Sequence, residues 1–565
     1  MSRFAFAAAA CAALLACASP PAPQREIDLL AAEASIDAAS MRRHIEVLAS
    51  DAFEGRAPAT RGEQLTVDYL IGEFKRLGLK PGNPDGTYLQ PVPLVGGRPK
   101  GELALDVGGQ PIALAEPADF QSFARWQLPD VRVDNSPLVF VGHGVVAPEY
   151  GWDDFKDVDV RGKTLLFLPN DPQVPEPNDP AKLDASMFGG DAVTFYSQGD
   201  HKREVARQRG AAARIQIFVP GQFGTPTWKD ATSDYGQEEF DTRVADRRVG
   251  EVALGAGLSD AAAERLFAAA RLDLAALKKA AMRRDFRPVV LNARVSLRVR
   301  QTLREVESRN VVARIEGSDP KLRNEWVIYT AHWDHFGRDP TRAGDQIFNG
   351  AQDNASGVAA MLEVAKAFAA LRTPPKRSIL FLITTAEEQG LLGAKHYVQQ
   401  PLYALERTLA VLNADVIKVR GRTRDIGIVG FGRSTLADRL ADIATARGRV
   451  ALGDTLPHLG LFYRSDHKEF ATEGVPAVWM RRGNDFPGQP PEYGRKIVAD
   501  YLANHYHKVS DEVRDDWDLS GAVEDYRLYF RLGVDIANGD VWPQWEPGDE
   551  FASKRDAMLK RARAR

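Results

Sequence analysis

Three short runs constrain this chain more than any other feature. They are "EWVIYTA" (325–331), "SILFLIT" (378–384) and "TLAVLNAD" (408–415). Each is nearly continuous in apolar residues and does not alternate with polar ones. A strand with that pattern is covered on both faces, which is the habit of parallel sheets. Between the first two lies "ASGVAAMLEVAKAFAAL", with Val358, Met361, Leu362, Ala365 and Phe368 on one helical face. "GLLGAKHYVQ" reads as a further helix before the third run. Alternating strands and helices predict an α/β fold: a mixed, mostly parallel sheet with helices on both faces.

At 565 residues the chain exceeds one ordinary domain, and about 100–200 residues per domain suggests two or three. Residues 19–99 read as a mostly helical first part, in which "GEQLTVDYLIGEFKRLGLKP" is a helix stopped by "LGLKPG". "TYLQPVPLV" then reads as a short strand. Residues 100–290 read as an inserted β-rich α+β domain, closing with one helical stretch from about 258 to 284. Residues 291–545 carry the α/β pattern. Residues 546–565, ending "KRDAMLKRARAR", read as a basic tail, either a solvated helix end or frayed.

Residues 1–18 read as an export leader. Arg3 supplies the positive region, and the apolar run that follows is shorter than the roughly 18–20 residues a spanning helix needs. Two cleavages fit. "LLAC" resembles a bacterial lipobox, which would leave a lipid anchor on Cys17. "ACA" before Ser19 fits an ordinary secreted protein. The expected location is therefore outside the bacterial cytoplasm, as a periplasm-facing lipoprotein or a freely secreted protein. Cys11 and Cys17 are the only cysteines, so a mature chain has neither disulfide nor thiolate metal site. The net charge of −4 gives no reason to expect nucleic acid as a partner. The oligomeric state is not legible.

In open α/β sheets chemistry gathers at the carboxyl ends of the strands. The first run is followed by His332 and Asp334, the second by Glu387 and Glu388, and the third ends on Asp415. Asp353, in "GAQDN", precedes the first helix. Taken singly these residues are ordinary: Asp353 would cap a helix, and His332 would be a structural imidazole. Together they match a hydrolytic site with two metals, in which ions about 3.5–4 Å apart share a carboxylate and a water. Nitrogen and oxygen donors without sulfur suit zinc, and cobalt or manganese could also occupy such a site.

With "AHWDHFG", "GDQIFNGAQDNASGVAAMLEVAKAF", "TTAEEQGLLGAKHY", "LNADVI", "YRSDHKEF" and "YHKVSDE" in this order, the chain resembles the co-catalytic zinc aminopeptidases. The resemblance covers roughly 36–95 and 295–540. "VFVGHGVVAPEYGWDDFKDVDVRGKTLLFL" is similar to the protease-associated domain that some members carry as an insert. The resemblance implies the zinc-peptidase (phosphorylase/hydrolase-like) fold, two Zn2+ and a peptide substrate. Carried over by motif, it implies His332 and Asp415 on one metal, Glu388 and His507 on the other, and Asp353 bridging them. It implies Glu387 as the general base and Tyr506 as a polariser of the scissile carbonyl. It also implies that Asp334 hydrogen-bonds the far nitrogen of His332.

Asp466 and His467, in "SDH", are candidates for the layer behind the ligands or for the pocket. Asp511 is balanced between that layer and a local turn, and His335 reads as structural. The chain has no G-x-S-x-G elbow and no phosphate-binding loop. The expected function is an exported metallo-aminopeptidase. A dipeptidase or carboxypeptidase on the same scaffold is the alternative. A non-catalytic binding protein, or a transferase such as a glutaminyl cyclase, stands further off.

Overall fold

The computed structural model describes residues 22–233 and 235–564. The leader 1–18, with Cys11 and Cys17, lies outside the described residues. One long sheet organises the chain. Its strands are β1 (Leu89–Val107), β2 (Phe120–Ala124), β3 (Asp130–Phe140), β4 (Thr164–Phe167), β5 (Ala213–Ile217), β6 (Glu239–Thr242), β7 (Leu254–Leu258), β8 (Val289–Ile315), β9 (Trp326–His332), β10 (Ser378–Thr384), β11 (Thr408–Asn413), β12 (Asp425–Val429), β13 (Val450–Leu452) and β14 (Ala477–Arg482). The order across it is β13-β12-β14-β11-β9-β10-β8-β3-β4-β5-β7-β2.

Two blocks of four parallel strands flank β8. One is β14-β11-β9-β10 and the other is β3-β4-β5-β7. β8 is antiparallel to both. Its first half pairs with β3 and its last five residues pair with β10. At 27 residues it spans about 90 Å. β1 runs antiparallel along most of it, from Val107 opposite Ala293 to Leu89 opposite Val311. The run at 87–95 is thus the start of a 19-residue strand rather than a short one. Pro91, Pro93 and Pro99 punctuate it in the sequence, and the long partner carries it past them.

All residues of β9, β10 and β11 are buried, as their unalternating composition requires. Val327, Tyr329, Phe381 and Leu412 face one core. That core is closed by α1 (Ala38–Leu48), α2 (Arg61–Arg76), α5 (Ser356–Ala369) and α8 (Ser520–Asn538). Asp37 caps α1 by accepting from the Ser40 amide at 2.9 Å. Ile328, Leu380 and Val411 face the other side, under α6 (Leu392–Gln399) and α7 (His467–Thr472). The fold is therefore a mixed, mostly parallel sheet with helices on both faces.

The second block has its own apolar core, built on Phe140, Leu166, Ile215, Leu254 and Phe267. The helical stretch near 258–284 is two helices, α4 (Asp260–Ala269) and a second at Leu274–Ala281 that Asp273 caps. The basic C-terminal stretch is not frayed. It forms α9 (Ala552–Ala564), held by Phe551 and by buried Arg555, whose guanidinium donates to the carbonyls of Leu405 and Thr408. Among the described residues no helix is long and apolar enough to cross a membrane.

Candidate metal centre

Because β9, β10 and β11 are parallel and in register, their carboxyl ends meet at one edge. His332 stands opposite Thr384, and Thr330 opposite Asn413. His332 closes β9. After β10 the chain turns at Ala386, whose φ is 52°, and delivers Glu387 and Glu388. Asp415 follows β11 by two residues. Asp353 enters from the turn ahead of α5, and His507 from the loop behind the helix Tyr493–Asn504.

These side chains converge. His332 Nε2 lies 3.4 Å from Asp353 Oδ1 and 3.5 Å from Asp415 Oδ1. His507 Nε2 lies 3.4 Å from Asp353 Oδ2 and 3.2 Å from Glu388 Oε2. Asp353 thus presents one oxygen to each histidine and stands between two groups of donors. Glu387 Oε2 is 3.8 Å from His332 Nε2. His332, Asp353 and Asp415 have donor atoms close enough to share one ion. So do His335, Asp353 and Glu388.

Asp334 is in place, but its partner differs from the expected one. His332 Nδ1 donates to the Asp334 backbone carbonyl at 3.2 Å, while the Asp334 carboxylate stands 3.8 Å from that nitrogen. The carboxylate instead accepts the Glu387 amide at 3.0 Å and the Glu388 amide at 3.3 Å. The turn at Ala386 points both amides at it, so Asp334 fixes the backbone of the glutamate pair rather than the imidazole. Asp466 is fully buried and accepts from the Thr384 hydroxyl behind the site. His467 does not reach the ligands. It lies edge-on to Phe462 and tilted against Trp479, and among the described residues neither ring nitrogen has a hydrogen-bond partner. Tyr506 stacks on His507 at 3.7 Å and accepts from Arg464 at 3.2 Å.

Three supports were weak or absent in the sequence reading. Asp511 accepts the amides of Gln352 and Asp353, at 3.1 and 2.9 Å, and so holds the turn that presents Asp353. His335 Nδ1 bonds Glu388 Oε1 at 2.6 Å, three residues from the ligand that closes β9. Arg56 is buried and donates to the carbonyls of Leu48, Trp333, Asn349 and Gly350. Its place in the sequence, about 280 residues upstream of the carbonyls of Trp333, Asn349 and Gly350, carried no signal of this. Asn354 caps α5, accepting from the Gly357 amide at 3.0 Å and donating to the Ala414 carbonyl.

Crowding of like charge sets the electrostatics. Burial pushes Glu387 well above the usual carboxylate range, and Asp415, Glu388 and Asp466 push the same way. Burial opposes ionisation of Glu388 too, but His507 and His335 outweigh it and hold it at about 2. Burial disfavours the charged form of His507, yet Glu388 and Asp353 raise it to about 9. Asp334 and Asp466 are each pushed by burial to about 7. So many buried carboxylates beside so few imidazoles call for added positive charge. The buried Nε2 of His507, with no hydrogen-bond partner among the described residues, points the same way. The nitrogen and oxygen donors fit divalent zinc.

Residues 310–530, which contain all of these ligand candidates, match Peptidase family M28. Over 182 residues the chain is 31% identical to an aminopeptidase of Pseudomonas aeruginosa strain UCBPP-PA14, covering 30% of each protein. Over 108 residues it is 38% identical to a probable zinc metalloprotease of Pyrenophora teres f. teres, covering 19% of this chain and 22% of that one. The chain thus spans less than a third of the length of these curated relatives. Among solved structures, an aminopeptidase from Aneurinibacillus sp. strain AM-1 aligns over 89% of this chain and 95% of its own, at 19% identity and a TM-score of 0.49. A Peptidase M28 precursor from Shewanella amazonensis aligns over 92% and 98%, at 17% identity and a TM-score of 0.45. The part of the chain that is similar to peptidase family M28, residues 310–530, is thus the part that holds the whole donor cluster.

Proposed function

We propose that the protein is an exported zinc aminopeptidase that removes N-terminal residues from peptides. One observation carries the reading: Asp353 offers one carboxylate oxygen toward His332 and the other toward His507. In this reading His332, Asp353 and Asp415 hold one zinc ion, and Asp353, Glu388 and His507 hold the second. When bound, the two ions supply an acidified water and positive charge for the oxyanion. This assignment leaves Glu387 without a metal, although its carboxylate also groups with His332 and Glu388, and burial gives it a strong pull on a proton. It takes the proton of the attacking water and returns it to the leaving amine. Tyr506 donates its hydroxyl toward the carbonyl oxygen, oriented by its stack on His507 and its bond from Arg464. Asp334 and Asp511 hold the backbone of Glu387–Glu388 and of Asp353.

The leader 1–18 directs export and resembles a lipoprotein signal with Cys17 as anchor. Residues 100–290 form the insert that resembles a protease-associated domain. The test is metal analysis joined to a panel of aminoacyl arylamides, with and without chelator. We expect two equivalents of zinc and hydrolysis of the arylamides. Chelation abolishes that hydrolysis, and zinc restores it. Cleavage of N-blocked peptides in place of arylamides would assign the scaffold to carboxypeptidase chemistry, and cleavage of dipeptides alone to a dipeptidase.

A further inference from the structure

β14 lies beside β11, with Trp479 opposite Asn413, so its end stands next to Asp415. Trp479 Nε1 donates to the Asp415 carbonyl at 3.0 Å. Two residues on, and so on the same face of the strand, Arg481 lays its guanidinium over the Trp479 ring at 4.5 Å. Arg481 lines a cavity with Asp454, Leu456, Leu461, Asn484 and Val498. Among the described residues no carboxylate forms an ion pair with it. Asp415, Asp454, Tyr506 and Arg464 are the charged or titratable groups that face it, and Arg464 is occupied with the Tyr506 hydroxyl. Arg482, next along, also lines this cavity and lies 5.7 Å from the Tyr501 ring.

A guanidinium keeps its charge in any protein setting, and it presents donors in a fixed fork that suits a carboxylate. An unpaired cation in a partly buried, partly apolar cavity is costly unless something anionic arrives to meet it. Here it stands at the end of β14, beside the strand that leads to Asp415, and Asp415 is one of the charges that act on it. We propose that Arg481 receives a carboxylate of the substrate adjacent to the scissile bond and sets the specificity of the site. Two sources share this chemistry: the side chain of an N-terminal Asp or Glu, and the terminal carboxylate of a dipeptide. The proposal rests on the aminopeptidase reading and assigns its substrate class.

The test compares kcat/KM of the zinc-loaded full chain on Glu-, Asp-, Leu- and Lys-arylamides and on the dipeptide Leu-Ala. Wild type, Arg481→Gln, Arg481→Lys and the surface control Arg422→Gln are measured side by side. Relative to Leu-arylamide, Arg481→Gln lowers turnover of the carboxylate-bearing substrates by about 10- to 100-fold, the loss of one charge-assisted pair. Arg481→Lys recovers part of it, and Arg422→Gln does not shift the ratio. A fall confined to Glu- and Asp-arylamides assigns the side chain, and one confined to Leu-Ala assigns the terminal carboxylate. An equal change on every substrate, or preference for Lys-arylamide, overturns the proposal. Calorimetric binding of glutamate and leucine to the zinc-loaded chain tests Arg481 without turnover. Tighter glutamate binding that Arg481→Gln abolishes supports the subsite even if no arylamide is cleaved, an outcome that would sink the aminopeptidase reading alone. Equal binding of the two overturns the subsite.

Discussion

The two blocks on either side of β8 each hold four parallel strands, but they end in opposite ways. At the carboxyl ends of β9, β10 and β11 the side chains turn toward one another, so that carboxylates face carboxylates and two imidazoles. At the carboxyl ends of β3 and β4 the polar groups turn back onto the chain. His143 Nδ1 donates to the Pro169 carbonyl at 2.8 Å. Lys202, from α3 (Gly199–Gln208), donates to the carbonyls of Leu168 and Asn170. Asp171 accepts the Thr194 amide at 3.0 Å, and Asp154 accepts from the Val145 amide and the Trp152 indole. Burial accordingly depresses His143 to about 3 and Lys202 to about 7, whereas carboxylate neighbours lift His507 to about 9. A parallel strand end supplies a place for chemistry. Whether the place is used depends on whether the polar groups there already have partners in the chain.

This contrast can be broken in order of expected effect. Asp353→Ala should abolish activity and empty both positions, since one carboxylate serves both groups of donors. Two equivalents of metal retained by elemental analysis would undo the bridging assignment. Glu387→Gln should lower kcat by about 10²- to 10⁴-fold, the usual worth of a general base, with metal content intact. Glu388→Gln should fail in metal content as well, and matching behaviour of the two variants would mean that the pair has one job. Asp334→Asn should cost about 10- to 100-fold in metal affinity or activity, because it loosens the backbone under both glutamates. In the other block Lys202→Met should leave kcat within about twofold. It should cost about 1–3 kcal/mol of stability in denaturant melts, for the buried carbonyls it strands. A large loss of turnover there would join the two strand ends functionally and dissolve the contrast.

How much of this was legible in the sequence follows from the range of the interactions. The strands β9, β10 and β11 are written in unbroken apolar runs, and the candidate ligands stand at their ends, so local pattern sufficed. The strand pattern of "ARVSLRVRQTLREVESRNVVARIEG" (293–317) shows β8 itself, but not its long pairing with β1, which lies about 200 residues upstream. The partner of Asp334 depends on the turn at Ala386, which no residue type announces. Placing His467 required knowing that α7 buries its first residue between Phe462 and Trp479. Arg56 acts across nearly 300 residues of sequence, beyond any motif.

The packing of α1 and α2 on α5 has a consequence for how the chain is made. Ile45 and Leu70 share a core with Val358 and Phe381, partners that leave the ribosome only after some 300 further residues. During synthesis these helices carry an apolar face without cover, and β1 waits about 200 residues for β8. High contact order of this kind slows folding and prolongs exposure to aggregation. A factor that shields the nascent chain until β8 and α5 emerge should therefore raise the yield of folded protein more than any substitution within the helices themselves.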